Sequence, residues 1–219
     1  IVDANIKAVH APLENLYEVQ IGGATSKIHR QPGIPANAPE LLQKVTGAII
    51  EGRGEELPVS AFEWTVDGTW PTDTAKYEKR RVATMLPCWD PETCIQCGKC
   101  VSVCPHAAIR IKVMTRQQAD EAEKRGVIVV PMKTSELGEG MYYTLTISPA
   151  DCTGCGICVK NCPVHALSMI KKQDADANQV AFDAAQNIPD ISRDKLNLNI
   201  PKHVELLPHY FEFPGACAG

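Results

Sequence analysis

Cys94-Ile95-Gln96-Cys97-Gly98-Lys99-Cys100-Val101-Ser102-Val103-Cys104-Pro105 is followed, 58 residues later, by Cys152-Thr153-Gly154-Cys155-Gly156-Ile157-Cys158-Val159-Lys160-Asn161-Cys162-Pro163. Both runs read C-x2-C-x2-C-x3-C-P. The repeat extends beyond the cysteines: Pro91 and Pro149 precede the two runs by three positions, and Ile109 and Leu167 follow at matching places. Two copies of one unit predict a domain whose halves face each other about a pseudo-twofold axis.

The spacing selects the chemistry. Thiolates at intervals of three on a tight loop can grip three irons of one cubane. The fourth cysteine, four residues on, points away from that loop and can reach a second cubane, as the same run does in two-cluster ferredoxins. The expected sets are therefore crossed. Cys94, Cys97, Cys100 and Cys162 would hold one [4Fe-4S] cluster, and Cys104, Cys152, Cys155 and Cys158 the other. A zinc site asks for four ligands in two pairs rather than two runs of four. Disulfides would have to join near neighbours within one loop. Gly98, Gly154 and Gly156 would let backbone N–H groups approach the sulfurs, a contact that favours the reduced cluster. Pro105 and Pro163 are expected to start a helix after each loop. Ile95, Val101, Ile109, Ile157, Val159 and Leu167 would wall the clusters from water. Cys88 falls outside the pattern and is expected to be a packed free thiol. His106 and His165 follow the two Cys-Pro turns and are expected on solvated or helical faces.

Strands are predicted at Val82–Leu86, Ile109–Met114, Tyr142–Ile147 and Leu167–Ile170, with each cysteine run ending in a short helix. This gives an α+β, dicluster bacterial-ferredoxin-like domain over residues 81–172, interrupted by an insertion at 115–140. Within the insertion, Gln117–Arg125 reads as helix and Val127–Val130 as a short strand. The flanks read differently. Residues 1–20 place Val2, Ile6, Val9, Leu13 and Leu16 on one helical face, with Pro12 as a kink or a second start. They read as the helical tail of a preceding domain. Residues 21–80 read as a connector holding one helix and one strand turn. Its helix would be capped near Asn37 or Ala38, buried through Leu41, Val45 and Ile49, and stopped at Gly52. Its strand would be Phe62–Gly68. Residues 173–219 are polar, show little periodicity and read as a connector.

The formal net charge of −4 gives no electrostatic footprint for nucleic acid or an anionic membrane surface. No stretch approaches the roughly 18 apolar residues of a membrane span. Thiolate ligands imply a reducing, oxygen-poor setting such as the cytoplasm. No catalytic constellation is visible: there is no Ser/His/Asp set, no phosphate loop and no convincing general base. The chain opens on Ile1-Val2-Asp3 and closes on Gly215-Ala216-Cys217-Ala218-Gly219, so it is expected to be a piece of a longer polypeptide.

Three stretches carry a wider resemblance. They are Asp67-Gly68-Thr69-Trp70-Pro71-Thr72-Asp73-Thr74-Ala75-Lys76-Tyr77-Glu78-Lys79-Arg80, the run from Cys94 to Ile109, and the tail Phe211-Glu212-Phe213-Pro214-Gly215-Ala216-Cys217-Ala218-Gly219. Together they resemble pyruvate:ferredoxin (flavodoxin) oxidoreductase, a large thiamine-diphosphate enzyme. The resemblance implies a relay part of an enzyme that turns pyruvate and CoA into acetyl-CoA and CO2 and hands single electrons to ferredoxin or flavodoxin. It implies thiamine diphosphate, Mg2+ and a third [4Fe-4S] cluster in the complete enzyme, which would be homodimeric. Residues 173–219 would lead to the missing thiamine-diphosphate domain, and Cys217 would be a third-cluster ligand only there. Other readings stay open: a free-standing dicluster carrier, the same module of another 2-oxoacid oxidoreductase, or a purely structural cluster. The basic run Lys76, Lys79, Arg80 and Arg81 is either a solvated turn or a docking patch for an acidic acceptor.

Overall fold

The computed structural model describes residues 1–20, 33–72, 74–79, 81–171 and 175–207. The chain divides into two compact units, residues 1–32 and 33–219. In the first, helix α1 spans Val2–Glu14. It runs through Pro12 rather than breaking there. The proline sits in the last turn, and Asn15 closes the helix by donating its backbone N–H to the Pro12 carbonyl and its side-chain amide to the Ala11 carbonyl. None of its residues is buried.

The second unit begins with a small apolar cluster of Ile34, Ala38 and Leu42, backed by Ile50 and Tyr77. Leu42–Thr46 forms a π-helical turn that runs into α2, Gly47–Ile50. Leu42, Val45 and Ala48 are buried while Ile49 is exposed, so the buried face is offset from the predicted Leu41, Val45 and Ile49. A wide i→i+5 turn rotates the side chains out of the 3.6-residue period, which accounts for the slip. Gly52 lies beyond the end at φ 77°. The predicted strand at Phe62–Gly68 is instead a 3-10 segment, Val59–Thr65. Its groups are satisfied locally, Trp64 Nε1 donating to the Ala61 carbonyl and Thr65 Oγ1 to the Phe62 carbonyl. An alternating pattern becomes a strand only where a partner edge exists, and none pairs with it among the described residues.

Five strands and two short helices carry the cysteines. The strands are β1 (Met85–Trp89), β2 (Ile109–Met114), β3 (Val130–Pro131), β4 (Tyr142–Ile147) and β5 (Leu167–Lys171). The helices are α3 (Lys99–Ser102) and α5 (Ile157–Lys160), which again stand 58 residues apart. β1 pairs antiparallel with β5, and β2 with β4, whose other edge takes β3. Each strand of one copy therefore pairs with the opposite strand of the other. The registers correspond: Trp89 lies opposite Leu167, and their counterparts 58 residues on and back, Ile147 and Ile109, lie opposite each other. The first strand starts three residues later than the predicted Val82–Leu86, because β5 fixes its register. The helices also differ from expectation. They precede the fourth cysteine of each run, while Pro105 and Pro163 sit in turns after it.

The insertion contributes α4 (Arg116–Glu123), capped by Thr115 and Gln118 in a reciprocal pair. Residues 175–186, read from sequence as irregular connector, form helix α6 (Ala175–Gln186). Its buried face is mostly alanine, too weak a hydrophobic signal to stand out. Ala184, Ala185 and Ile188 pack with Ala119 and Ala122 of α4 around Met114. A last short helix, α7, spans Pro201–Val204 and lies against α3. The main core gathers Trp89, Val101, Ile109, Ile111, Val113, Tyr143, Leu145 and Leu167, with Cys94, Cys100 and Cys104 packed on it.

The second cysteine loop is held tightly at Gly154. A Cβ there would come within 2.8 Å of the Met85 carbonyl oxygen, whereas one at Gly156 would meet nothing within 4 Å among the described residues; both residues have φ of +73°. Gly154→Ala is expected to cost about 3 kcal/mol from overlap and left-handed strain together, and Gly156→Ala about 1 kcal/mol from strain alone. Anaerobic denaturant midpoints of the two iron-loaded variants test this, and equal midpoints would contradict it.

Candidate metal centre

Two cavities open beside α3 and α5. The first is lined by Cys94, Cys97, Cys100 and Cys162, with Trp89, Tyr143, Leu145 and Leu167 behind them; it encloses about 350 Å3, its mouth included. The second is lined by Cys104, Cys152, Cys155 and Cys158, with Pro87, Ala108 and Ile109 behind, and encloses about 340 Å3. Each cavity thus draws three thiols from one run and the last thiol of the other. The local cause is the single turn of helix in each run. Cys100 lies on α3 and faces the first cavity, while Cys104 lies just past its end and faces the second. Cys158 and Cys162 repeat this on α5 in the opposite sense. All nine described cysteines are free thiols.

Backbone geometry shapes the loops. Gln96 and Gly154, equivalent positions in the two copies, both adopt left-handed φ, at 56° and 73°. Their N–H groups donate to the sulfurs two residues earlier, Gln96 to Cys94 at 3.3 Å and Gly154 to Cys152 at 3.4 Å. Ala166 donates to Cys162 at 3.2 Å. Glutamine is an unusual choice for a left-handed position, and its side chain supplies the reason. Buried to 2% exposure, Gln96 donates to the Pro131 carbonyl and accepts from the Lys133 N–H, tying the insertion to the first loop. Sequence reasoning missed this residue, although the Gln-for-Gly exchange between the copies was a usable signal.

The electrostatics of the thiols ask for a cation. Burial, then the neighbouring Cys94 and Cys97 thiolates, push the Cys100 thiol up to about 12. Burial, opposed by a backbone hydrogen bond and reinforced by Cys104, Cys152 and Cys155, pushes Cys158 up to about 11. Cys152 is raised as well, first by burial. Four such groups can all be deprotonated together only around positive charge, which iron would supply. Among the described residues no three His, Cys, Asp or Glu side chains gather closely enough for one metal ion. The thiols of each set stand around a space. Two buried donors without a protein partner, the Tyr143 hydroxyl and the Trp89 indole N–H, also belong to the wall of the first cavity. The residues present therefore fit two four-iron clusters.

The shield is less complete than expected. Val101, Ile109 and Leu167 are buried, but Ile95 and Ile157 are 48% and 39% exposed and sit at the cavity mouths. His106 stands at the second mouth, its Nδ1 3.4 Å from Thr153 Oγ1, and His165 is exposed. Cys88 lines neither cavity; it is exposed on β1 opposite Ser168. Cys217 and Arg80 lie outside the described residues. Of the basic run, Lys79 turns inward and pairs with Asp151 at 2.6 Å, so this charge is spent inside the fold and not on a docking surface. Arg110 is also buried, with Nε donating to the Ala107 carbonyl, and burial lowers its guanidinium to about 10 against the pull of Asp151 and Cys104. No helix among the described residues is long and apolar enough to cross a membrane.

Residues 93–166 match the 4Fe-4S dicluster domain family, and residues 27–83 match EKR, a domain of unknown function. The whole chain aligns with the pyruvate-flavodoxin oxidoreductase of Rhodospirillum rubrum at 39% identity and with a putative one from Synechocystis at 40%. It aligns with the pyruvate:ferredoxin oxidoreductase of Moorella thermoacetica at 37%. In each case it spans 19% of the relative's length. From end to end, the chain is similar to one segment of proteins named pyruvate-flavodoxin oxidoreductase, and residues 93–166 within it match a 4Fe-4S dicluster domain.

Proposed function

We propose that this chain relays single electrons through two [4Fe-4S] clusters, one held by Cys94, Cys97, Cys100 and Cys162 and the other by Cys104, Cys152, Cys155 and Cys158. The crossing carries this reading: each cavity is lined by three thiols of one run and the last thiol of the other. Bound there, each cluster would take up and give back one electron. The chain's own residues do the rest. The thiolates balance the iron charge, and the N–H groups of Gln96, Gly154 and Ala166 ease the arrival of a further negative charge at the sulfurs. Trp89, Tyr143, Leu145 and Leu167 keep water from the inner wall of one site, and Pro87, Ala108 and Ile109 from that of the other. Cys100 and Cys104, one turn apart, link the two sites through a single stretch of backbone, as do Cys158 and Cys162. The paired registers of β1–β5 and β2–β4 support a pseudo-twofold relation between the copies.

Within a complete protein the module, residues 81–172, would carry electrons released when pyruvate and CoA become acetyl-CoA and CO2. Thiamine diphosphate, Mg2+ and a third cluster would belong to the remaining domains, with Cys217 among the ligands of that cluster. Ferredoxin or flavodoxin would accept the electrons, in a reducing, oxygen-poor setting, and the whole would be a homodimer. Residues 1–20 and 21–80 would lead in from a preceding domain. Residues 173–219, including α6 and α7, would lead on to the thiamine-diphosphate domain. This chain itself contributes no catalytic residue.

Anaerobic purification is expected to give about eight irons and eight acid-labile sulfides per chain. A count near two or below would contradict two cubanes. The crossing has its own test in paired substitutions. Cys100→Ser with Cys162→Ser removes two ligands of one cavity and should leave about four irons. Cys100→Ser with Cys104→Ser removes one from each cavity and should leave almost none. The reverse outcome, with the same-run pair keeping a cluster, would show each run serving its own site.

A further inference from the structure

The two copies differ in where a carboxylate lies. Asp90 and Thr93 in the first copy correspond to Ser148 and Asp151 in the second. The same hydrogen bond links each pair with the roles exchanged: Thr93 Oγ1 donates to Asp90 Oδ2, and Ser148 Oγ donates to Asp151 Oδ2. The exchange moves a carboxylate. In the first copy it is exposed and four residues before Cys94. In the second it adjoins Cys152 and is only 2% exposed. A charge in that position is little screened by water and acts strongly on any charge change next to it.

Its counter-charge comes from outside the duplicated unit. Lys79 reaches Asp151 at 2.6 Å, its own side chain 28% exposed. The adjoining backbone is fastened to the same loop: the Arg81 N–H donates to the Ala150 carbonyl at 3.2 Å, and Ala83 and the Met85 carbonyl press on Gly154. Lys79 lies in the segment that matches the domain of unknown function. The first copy has neutral Thr93 where Asp151 stands, so it needs no such cation.

We infer that the end of this segment, through Lys79 and the buried Asp151, sets the reduction potential of the cluster held by Cys104, Cys152, Cys155 and Cys158 and so makes two duplicated sites inequivalent. The inference rests on the two-cluster reading above. Lys79 is a positioning residue here: it offsets a negative charge that would otherwise disfavour the incoming electron. Arg110 also feels Asp151 but is already held by the Ala107 carbonyl, and it is common to every variant below.

The test is an anaerobic redox titration of the cluster-loaded chain, followed by electron paramagnetic resonance, with iron and sulfide counted in each sample. Lys79→Met is expected to make one of the two clusters at least tenfold harder to reduce, 59 mV for one electron, with the other unmoved. Asp151→Asn should make that same cluster easier to reduce, the double variant should return near the wild type, and Lys79→Arg should match it. Should Lys79→Met lose iron, Asp151→Asn decides alone, because it keeps the size and shape of the side chain and one of its two acceptor oxygens, and Ser148 Oγ can accept from the new NH2 while donating to Gln179 Oε1. Variants with full iron in which neither potential moves, or both move together, would overturn the inference. A wild-type chain without iron would instead overturn the two-cluster reading beneath it.

Discussion

Eight thiols line two small spaces, and as thiolates they would repel one another. That repulsion is the constraint around which the rest of this fold is arranged. Burial drives the inner thiols towards their neutral form, so the arrangement is stable as a set of ligands only with positive charge at its centre. Crossing the sets answers a second problem. A unit with so few strands has little core of its own, and a ligand traded in each direction would fasten the two copies to each other as well as to the metal.

The duplication explains the plan, and the departures from it explain the wiring. The strands, short helices and left-handed positions recur at 58 residues, and the two antiparallel pairings share one register. Against that background three differences stand out. Gln96 replaces Gly154 and binds the insertion. Asp151 replaces Thr93 and draws in Lys79. Helix α7 covers the first loop, where Lys202 lies against Gly98, while among the described residues nothing comes within 4 Å of a Cβ built at Gly156. Among the described residues, each difference gives one site a neighbour that has no counterpart at the other, as a relay between unequal centres would need.

Much of the site was legible in the sequence because thiolate spacing is a covalent property of the chain: C-x2-C-x2-C-x3-C-P presents its sulfurs in only a few ways. Strands β2 and β4 were legible for a different reason, since Ile109-Arg110-Ile111-Lys112-Val113 and Tyr143-Thr144-Leu145-Thr146-Ile147 alternate apolar and polar residues as strands do. The misreadings fall where tertiary context decides. Phe62–Gly68 alternates like a strand but finds no edge to pair with among the described residues. A π-turn moved the buried face at Leu42 off its expected period. The alanines of α6 carry too little hydrophobic contrast to mark a helix. Lys79 and Asp151 stand 72 residues apart in sequence, and only the fold brings them together.

The division of each cysteine run between two centres is tested most directly by an anaerobic crystal structure with anomalous scattering recorded at the iron edge. Two compact peaks of four irons are expected, one among Cys94, Cys97, Cys100 and Cys162 and one among Cys104, Cys152, Cys155 and Cys158. A single tetrahedral ion, or a peak ligated by all four cysteines of one run, would contradict it.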